Sequence, residues 1–212
     1  MNNSRIFKNL NLEKISNELY SPLSVGGMII PEAIHEEVTN SIIREIESGS
    51  FFQEAPYDYG IAQQRMDVFY IGEADKDHKV EKNFPCIDSL TKDYISFYEE
   101  LGKMAKFIPS TVNSIGIHRY KPKEGKITLH RDSNKYANLI SIMNLKGRAE
   151  FYLSAQLEKL GLTLETTPNS LILIRAPRSP QEKNLRPYHG VGNVLEERYS
   201  LILRSRLFHH SQ

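Results

Sequence analysis

The sequence predicts an α+β fold in which helices pack on one sheet of a strand-rich sandwich or jelly roll. Three observations support this. Apolar residues recur at helical spacing in two stretches before Pro109. About seven short β-rich pieces, bounded by turn chemistry, fill the chain after it. At 212 residues and without an internal repeat, the chain suits one domain around a substantial core.

Residues 1–30 read as a loosely specified lead-in of short polar pieces that run into Gly26-Gly27. Residues 31–109 hold the helices. Pro31 sits where a first helical turn would accept it. Ile34, Val38, Ile42 and Ile46 then recur every four residues, predicting an amphipathic helix that stops near Ser48-Gly49. Residues 51–85 break the pattern with Pro, Gly and aromatics and with alternating pieces such as Met66-Asp67-Val68-Phe69-Tyr70. They predict irregular hairpins, not a core element. Asp88 or Ser89 is expected to cap a second helix, with Leu90, Tyr94, Ile95, Tyr98, Leu101 and Met104 on its apolar side, until Pro109. Within 110–212, strands are expected at 114–120, 127–130, 139–144, 150–153, 171–175, 189–194 and 199–207. Turn residues at 122–125, 146–147, 168–169 and 177–187 separate several of them.

Composition narrows the classes. Hydrophobic residues make up 40% and charged residues 25%, as in ordinary globular chains. No stretch approaches the ~18–20 apolar residues of a membrane span, and residues 1–12 lack the pattern of a signal peptide. Cys86 is the only cysteine, which excludes an internal disulfide and a thiolate cluster. A cytoplasmic monomer with no membrane association is expected. The formal charge of +1 gives no overall basic excess for binding a duplex. The basic residues are nonetheless uneven: Arg119, Lys121, Lys123, Lys126, Arg131 and Lys135 form one group, and Arg175, Arg178, Lys183 and Arg186 another. Solvated surface explains either alone; together they predict a positive rim around the motif between them.

That motif is His130-Arg131-Asp132. On a strand, residues i and i+2 share a face, so His130 and Asp132 can reach one ion. His189, beside Gly190 and Gly192, is the best third ligand. Two imidazoles and one carboxylate on one face of an octahedron suit non-haem iron(II), leaving positions open for a co-substrate and dioxygen. Alone, a His-x-Asp is commonly surface polarity; His35, His78, His209 and His210 read that way. The segment 198–204 supplies the context. Arg198, Ser200, Ile202 and Arg204 fall on one face and Tyr199, Leu201 and Leu203 on the other. Inward arginines need anions. Two guanidiniums match a dicarboxylate such as 2-oxoglutarate, each through paired hydrogen bonds. The competing reading is an edge strand with both arginines in water.

From Ile117 to Leu207 the chain resembles the AlkB-like branch of the Fe(II)/2-oxoglutarate-dependent dioxygenases. The matching pieces are His118-Arg-Tyr120, the turn at 122–125, Leu129-His130-Arg-Asp132, Pro187-Tyr-His189 and Arg198-Tyr-Ser-Leu-Ile-Leu-Arg204. The resemblance implies a double-stranded β-helix with 110–212 as its catalytic core. It places the iron ligands on His130, Asp132 and His189, and 2-oxoglutarate on Tyr120, Arg198 and Arg204. It pairs Arg198 with the distal carboxylate and sets Arg204 near the metal-chelating end. Residues 51–85, through Gln64-Arg65 and Tyr70-Ile-Gly72, resemble the family's lid. The chain has His118 where the family commonly has Asn, so His118 either contacts the co-substrate or packs on the inner sheet. Only nine positions separate His189 from Arg198. With no tryptophan, base stacking would fall to Tyr57, Tyr59, Phe69 or Tyr70. Arg131 is either a substrate contact or a plain surface arginine. The resemblance implies oxidation, as hydroxylation or demethylation, of methylated bases in single-stranded nucleic acid, with the DNA-repair role that entails. Hydroxylation of a small molecule, amino acid or protein side chain is the alternative. A jelly-roll module that binds metal without catalysis is a third reading.

Overall fold

Hydrogen-bond ladders organise the chain into two facing antiparallel sheets, with helices on the outer face of one. The computed structural model describes residues 6–8, 10–49, 52–55, 58–59, 62–72, 84–159 and 161–207. Three α-helices occur among these: α1 (Leu12–Tyr20), α2 (Glu36–Glu47) and α3 (Pro85–Ala105). The early strands are β1 (Gly27–Ile30), β2 (Gln53–Glu54), β3 (Asp58–Tyr59), β4 (Ala62–Arg65) and β5 (Asp67–Gly72). The later ones are β6 (Ser114–Tyr120), β7 (Lys126–His130), β8 (Tyr136–Lys146), β9 (Ala149–Ser154), β10 (Leu162–Thr166), β11 (Ser170–Arg175), β12 (Tyr188–Gly192) and β13 (Arg198–Arg206). A 3-10 turn, Pro180–Leu185, precedes β12.

The larger sheet has the order β1-β11-β8-β13-β6-β5-β2 and the smaller β10-β9-β12-β7-β4-β3. This is the α+β double-stranded β-helix expected from the sequence. All seven predicted strands form. Their ends move by up to three residues, as in β8, which begins at Tyr136.

The lead-in is more structured than its composition suggested. Asn11 accepts from the Lys14 N–H and caps α1, whose Ile15 and Leu19 are buried. β1 pairs in full register with β11, from Gly27 opposite Ile174 to Ile30 opposite Leu171. A four-residue run is too short to stand out in sequence; its partner strand makes it a strand. Pro31 lies in the turn after β1, and α2 starts only at Glu36. The insertion needs a similar correction. β2 with β5, and β3 with β4, are the expected short hairpins. β5, however, joins the main sheet through six register positions with β6, and Phe69 and Ile71 are buried under the helices. Residues 73–83 lie outside the described residues.

Helix α3 begins at Pro85, not at Asp88 or Ser89. Its first N–H groups are capped from another helix: the Glu45 carboxylate of α2 accepts from Cys86 N at 2.8 Å and Ile87 N at 3.0 Å. It ends at Ala105, capped by Lys106, whose φ of 56° is left-handed, before Pro109. Leu90, Tyr94, Tyr98 and Leu101 face the sheet as predicted, whereas Met104 is exposed. No helix among the described residues is long and apolar enough to cross a membrane.

Two apolar clusters result. One fills the space between helices and main sheet, with Leu139, Met143, Tyr199, Leu201 and Leu203 from the sheet. The other lies between the sheets, with Phe151, Leu153, Ile140, Ile172 and Ile202. It does not fill that space. One end stays polar, and the candidate site is there.

Candidate metal and anion site

The pairing of β7 with β12 brings together residues far apart in sequence. His189 stands directly opposite His130 in the register. Gly190 permits the approach, since a Cβ there would lie 2.7 Å from the Ile127 carbonyl oxygen. His130 closes β7 and Asp132 follows just past its end. The potential ligand atoms of His130, Asp132 and His189 all lie within 4.8 Å of one another. His189 Nε2 is 3.7 Å from Asp132 Oδ2, and the two imidazoles have centroids 4.4 Å apart. His130 Nδ1 donates to the Thr128 carbonyl at 2.9 Å, which leaves its Nε2 as the free lone pair.

The protonation states suit ligation. Burial and the adjacent His130 push the His189 pKa down to about 4, against the pull of Asp132. Burial alone would raise the Asp132 carboxyl, but His189 and Arg204 outweigh it and hold the pKa below the ordinary value. Near neutral pH His189 therefore presents a neutral nitrogen and Asp132 a carboxylate, the forms that bind a divalent cation.

The arginines come from β13, fourth of the seven strands and so as far from an edge as the sheet allows. This overturns the edge-strand reading. Arg198 is 1% exposed and Arg204 7%. Cross-strand partners share a face, so the pairing of Arg198 with Tyr120 and of Ser200 with His118 puts these four side by side. Arg198 lies over the Tyr120 ring at 5.2 Å, and Arg204 over the Tyr136 ring at 4.4 Å. Arg204 Nη1 is 3.7 Å from Asp132 Oδ1. One cavity is lined by His118, Tyr120, His130, Asp132, His189, Arg198 and Arg204, all seven residues singled out from the sequence.

Its walls hold unsatisfied donors. Arg198 Nε and Nη2, Arg204 Nε, His118 Nε2 and the Ser200 hydroxyl are buried without a hydrogen-bond partner. Burial lowers the Arg198 pKa, and burial together with Arg204 takes His118 down to about 3. Burial lifts the Tyr120 phenol to about 12, against the opposing pull of Arg198, so its proton stays in place as a donor. Buried guanidinium nitrogens without partners are costly, and a dicarboxylate is a ligand that would satisfy those of both arginines.

Other expectations fared differently. Phe69 turns to the helix side and packs on Phe84 at 5.3 Å, so it cannot stack a base in the cavity. Tyr70 does face the cavity side, edge-on to His118 at 6.2 Å. Tyr57 and the side chain of Tyr59 lie outside what is described. Much of the basic rim is internally engaged. Arg119 binds Asp67 at 2.5 Å, Arg178 binds Glu182 at 2.6 Å and Arg175 donates to the Leu185 carbonyl. Arg131, half-buried, lies over the Tyr188 ring and donates to the Asn184 carbonyl. Tyr136 and Phe151, the latter stacked on His189 at 6.0 Å, belong to the site and were not singled out. Both are ordinary aromatics in strands, and nothing in spacing marks them.

No description of a known protein family matches the sequence, nor does any curated protein. Solved structures do match. A Pseudomonas putida prolyl-4-hydroxylase superposes with a TM-score of 0.66 at 12% identity, covering 93% of this chain and 99% of that one. A Trichoplax adhaerens prolyl hydroxylase in complex with a hypoxia inducible factor oxygen degradation domain peptide fragment gives 0.64 at 14%, covering 92% and 90%. OsALKBH1 gives 0.60 at 15%, covering 84% and 97%. Two facing sheets, a His-Asp-His cluster at one end and these likenesses agree: the chain has the double-stranded β-helix fold that the prolyl hydroxylases and OsALKBH1 share.

Proposed function

We propose that this chain is an iron(II)- and 2-oxoglutarate-dependent oxygenase, acting as one domain with residues 110–212 as its catalytic core. The observation that carries the reading is the juxtaposition of a His130–Asp132–His189 cluster within 4.8 Å with two buried guanidiniums that keep nitrogens without hydrogen-bond partners in the same cavity. The residues fit both groups. Two imidazoles and a carboxylate suit iron(II) and leave coordination positions free. Arg198, with the Tyr120 hydroxyl, would hold the distal carboxylate of 2-oxoglutarate, and Arg204 the end beside the metal. His118 would donate from Nε2. When bound, metal and co-acid together supply dioxygen activation, the co-acid ending as succinate and carbon dioxide.

The protein's own share is positional and electrostatic. Two guanidiniums against one carboxylate give the protein's wall net positive charge; the metal would add two and the dianion remove two. Each ligand therefore favours the other, as reciprocal linkage requires. Ile202, Ile127 and Phe151 exclude water around the reacting centre.

For the substrate, the engagement of Arg119, Arg131, Arg175, Arg178 and Arg186 by protein acceptors favours hydroxylation of an amino acid, small molecule or protein side chain, and leaves Lys121, Lys123, Lys135 and Lys183 as the exposed charges of the two basic groups. The second reading, demethylation of a base in single-stranded nucleic acid, is favoured by Tyr70 beside the cavity and by the likeness to OsALKBH1. The test is anaerobic loading with iron(II) and 2-oxoglutarate, then air, with succinate and formaldehyde measured against methylated oligonucleotides, peptides and free metabolites. No succinate under any condition would leave only a metal-binding module. Salt-sensitive binding of single-stranded oligonucleotide together with formaldehyde release would select the second substrate.

A further inference from the structure

The two segments that carry the triad are tied together by arginines reaching in opposite directions. Asp132 lies beyond the end of β7, outside any strand ladder, whereas His189, the second residue of β12, is held on its other side by β9, opposite Leu153. The ladder between β7 and β12 is itself interrupted by a register shift between His189 and Val191. Arg131, between His130 and Asp132, lays its guanidinium over the Tyr188 ring at 4.1 Å. Its Nη2 donates to the Asn184 carbonyl at 3.2 Å. In the other direction, Arg186 donates through Nη1 to the Asp132 carbonyl and through Nε to the Lys183 carbonyl at 2.8 Å.

The turn that carries Arg186 is anchored on its far side as well. Arg175 donates to the Leu185 carbonyl through Nε at 3.1 Å and Nη2 at 2.7 Å. The two crossing guanidiniums repel each other: burial and then Arg131 lower the Arg186 pKa, while Asp132 opposes them. Carbonyl acceptors, the Tyr188 π face and the Asp132 charge offset that repulsion. A guanidinium can donate to two carbonyls at fixed angles, which an ammonium on a flexible stem copies poorly.

We infer that Arg131 and Arg186 are positioning residues that hold the Asp132 and His189 segments at ligand distance before any metal arrives. The inference rests on the triad being the metal site. Outer partners of metal ligands change affinity by roughly 10–100-fold when removed, and these two act on the backbone that aims the ligands, not on substrate.

The experiment is an anaerobic cobalt(II) titration of the full chain followed by visible absorbance, with melting of the metal-free protein measured in parallel. Arg186→Met and Arg131→Met are expected to bind cobalt(II) ~10–100-fold more weakly with an altered spectrum, while the metal-free melting point stays within a few degrees of wild type. Arg186→Lys should fall between, and the double variant should lose less than the two single losses combined, since both tie the same pair of segments. Lys146→Met, which removes a surface bridge to Glu47 and Glu197, should bind as wild type. Wild-type affinity and spectrum in both methionine variants would overturn the inference and leave the oxygenase reading standing. A wild-type chain that binds no cobalt(II) would instead overturn the oxygenase reading. If a methionine variant fails to fold, the lysine variants at 131 and 186 give the same comparison.

Discussion

On one side of β13, Tyr199, Leu201 and Leu203 press against α3 and its neighbours; on the other, Arg198, Ser200, Ile202 and Arg204 line the cavity. The residues alternate along one strand and are about equally buried, yet their environments are opposite. The helix face is an apolar layer in which the polar atoms of Tyr94 and Ser141 find each other at 2.6 Å. The cavity face holds guanidinium and imidazole nitrogens without partners. The helix face stabilises the fold, and the cavity face lowers that stability in exchange for a binding site. A β-strand makes this division possible because adjacent side chains never share a side.

The comparison can be broken at either face. The largest effect is expected at Asp132. Asp132→Ala should abolish metal-dependent 2-oxoglutarate turnover and leave the fold intact by circular dichroism; unchanged turnover would remove Asp132 from the metal. Next is Arg198→Met, which takes an unpaired charge from the cavity face. It should raise the apparent KM for 2-oxoglutarate by about 100-fold, in keeping with loss of a buried paired charge worth ~3 kcal/mol. Stability without ligand should be unchanged or higher; a clear drop in denaturation midpoint would show that Arg198 is satisfied within the protein.

Leu201→Ala tests the helix face. It should cost about 2–5 kcal/mol of stability by chemical denaturation, while the KM for 2-oxoglutarate in the folded fraction stays put. Smaller still is the pH response of the metal-free protein. His118 and His189 are depressed to about 3 and about 4, below the ~6.5 of an unfolded histidine. The unfolded chain therefore binds more protons below that value. Stability should be level above about pH 7 and fall as pH drops from ~6.5 towards 4. His118→Asn should flatten part of that fall, and an identical profile would exclude His118 as a contributor. Finally, Glu45→Gln should lower stability by ~1 kcal/mol by weakening the cap of α3.

Legibility differed along the chain for physical reasons. The helical spacing of Leu90, Tyr94, Tyr98 and Leu101 and the alternation of 198–204 are local patterns, and both faced as expected. α1 and β1 were missed because α1 buries mainly Ile15 and Leu19 and β1 is four residues long; each becomes regular only by docking on β11 or α3. β5 looked like part of a loop insertion because its neighbours are irregular, but β6 recruits it into the main sheet. The sequence offers a cap for α3 within its own first turn, whereas the cap comes from Glu45, some forty residues earlier.

By itself the sequence determined the chemical inventory: a His-x-Asp pair, a later histidine beside glycines, and two arginines with same-face parity. Those follow from residue type and a two-residue period, which need no tertiary information. Only the tertiary structure decided that His189 stands opposite His130, that β13 runs through the middle of its sheet, and that Arg131 and Arg186 point into the backbone of each other's segments. These depend on which strand pairs with which and in what register, and long-range pairing is set by the packing of the whole core rather than by any local stretch of chain.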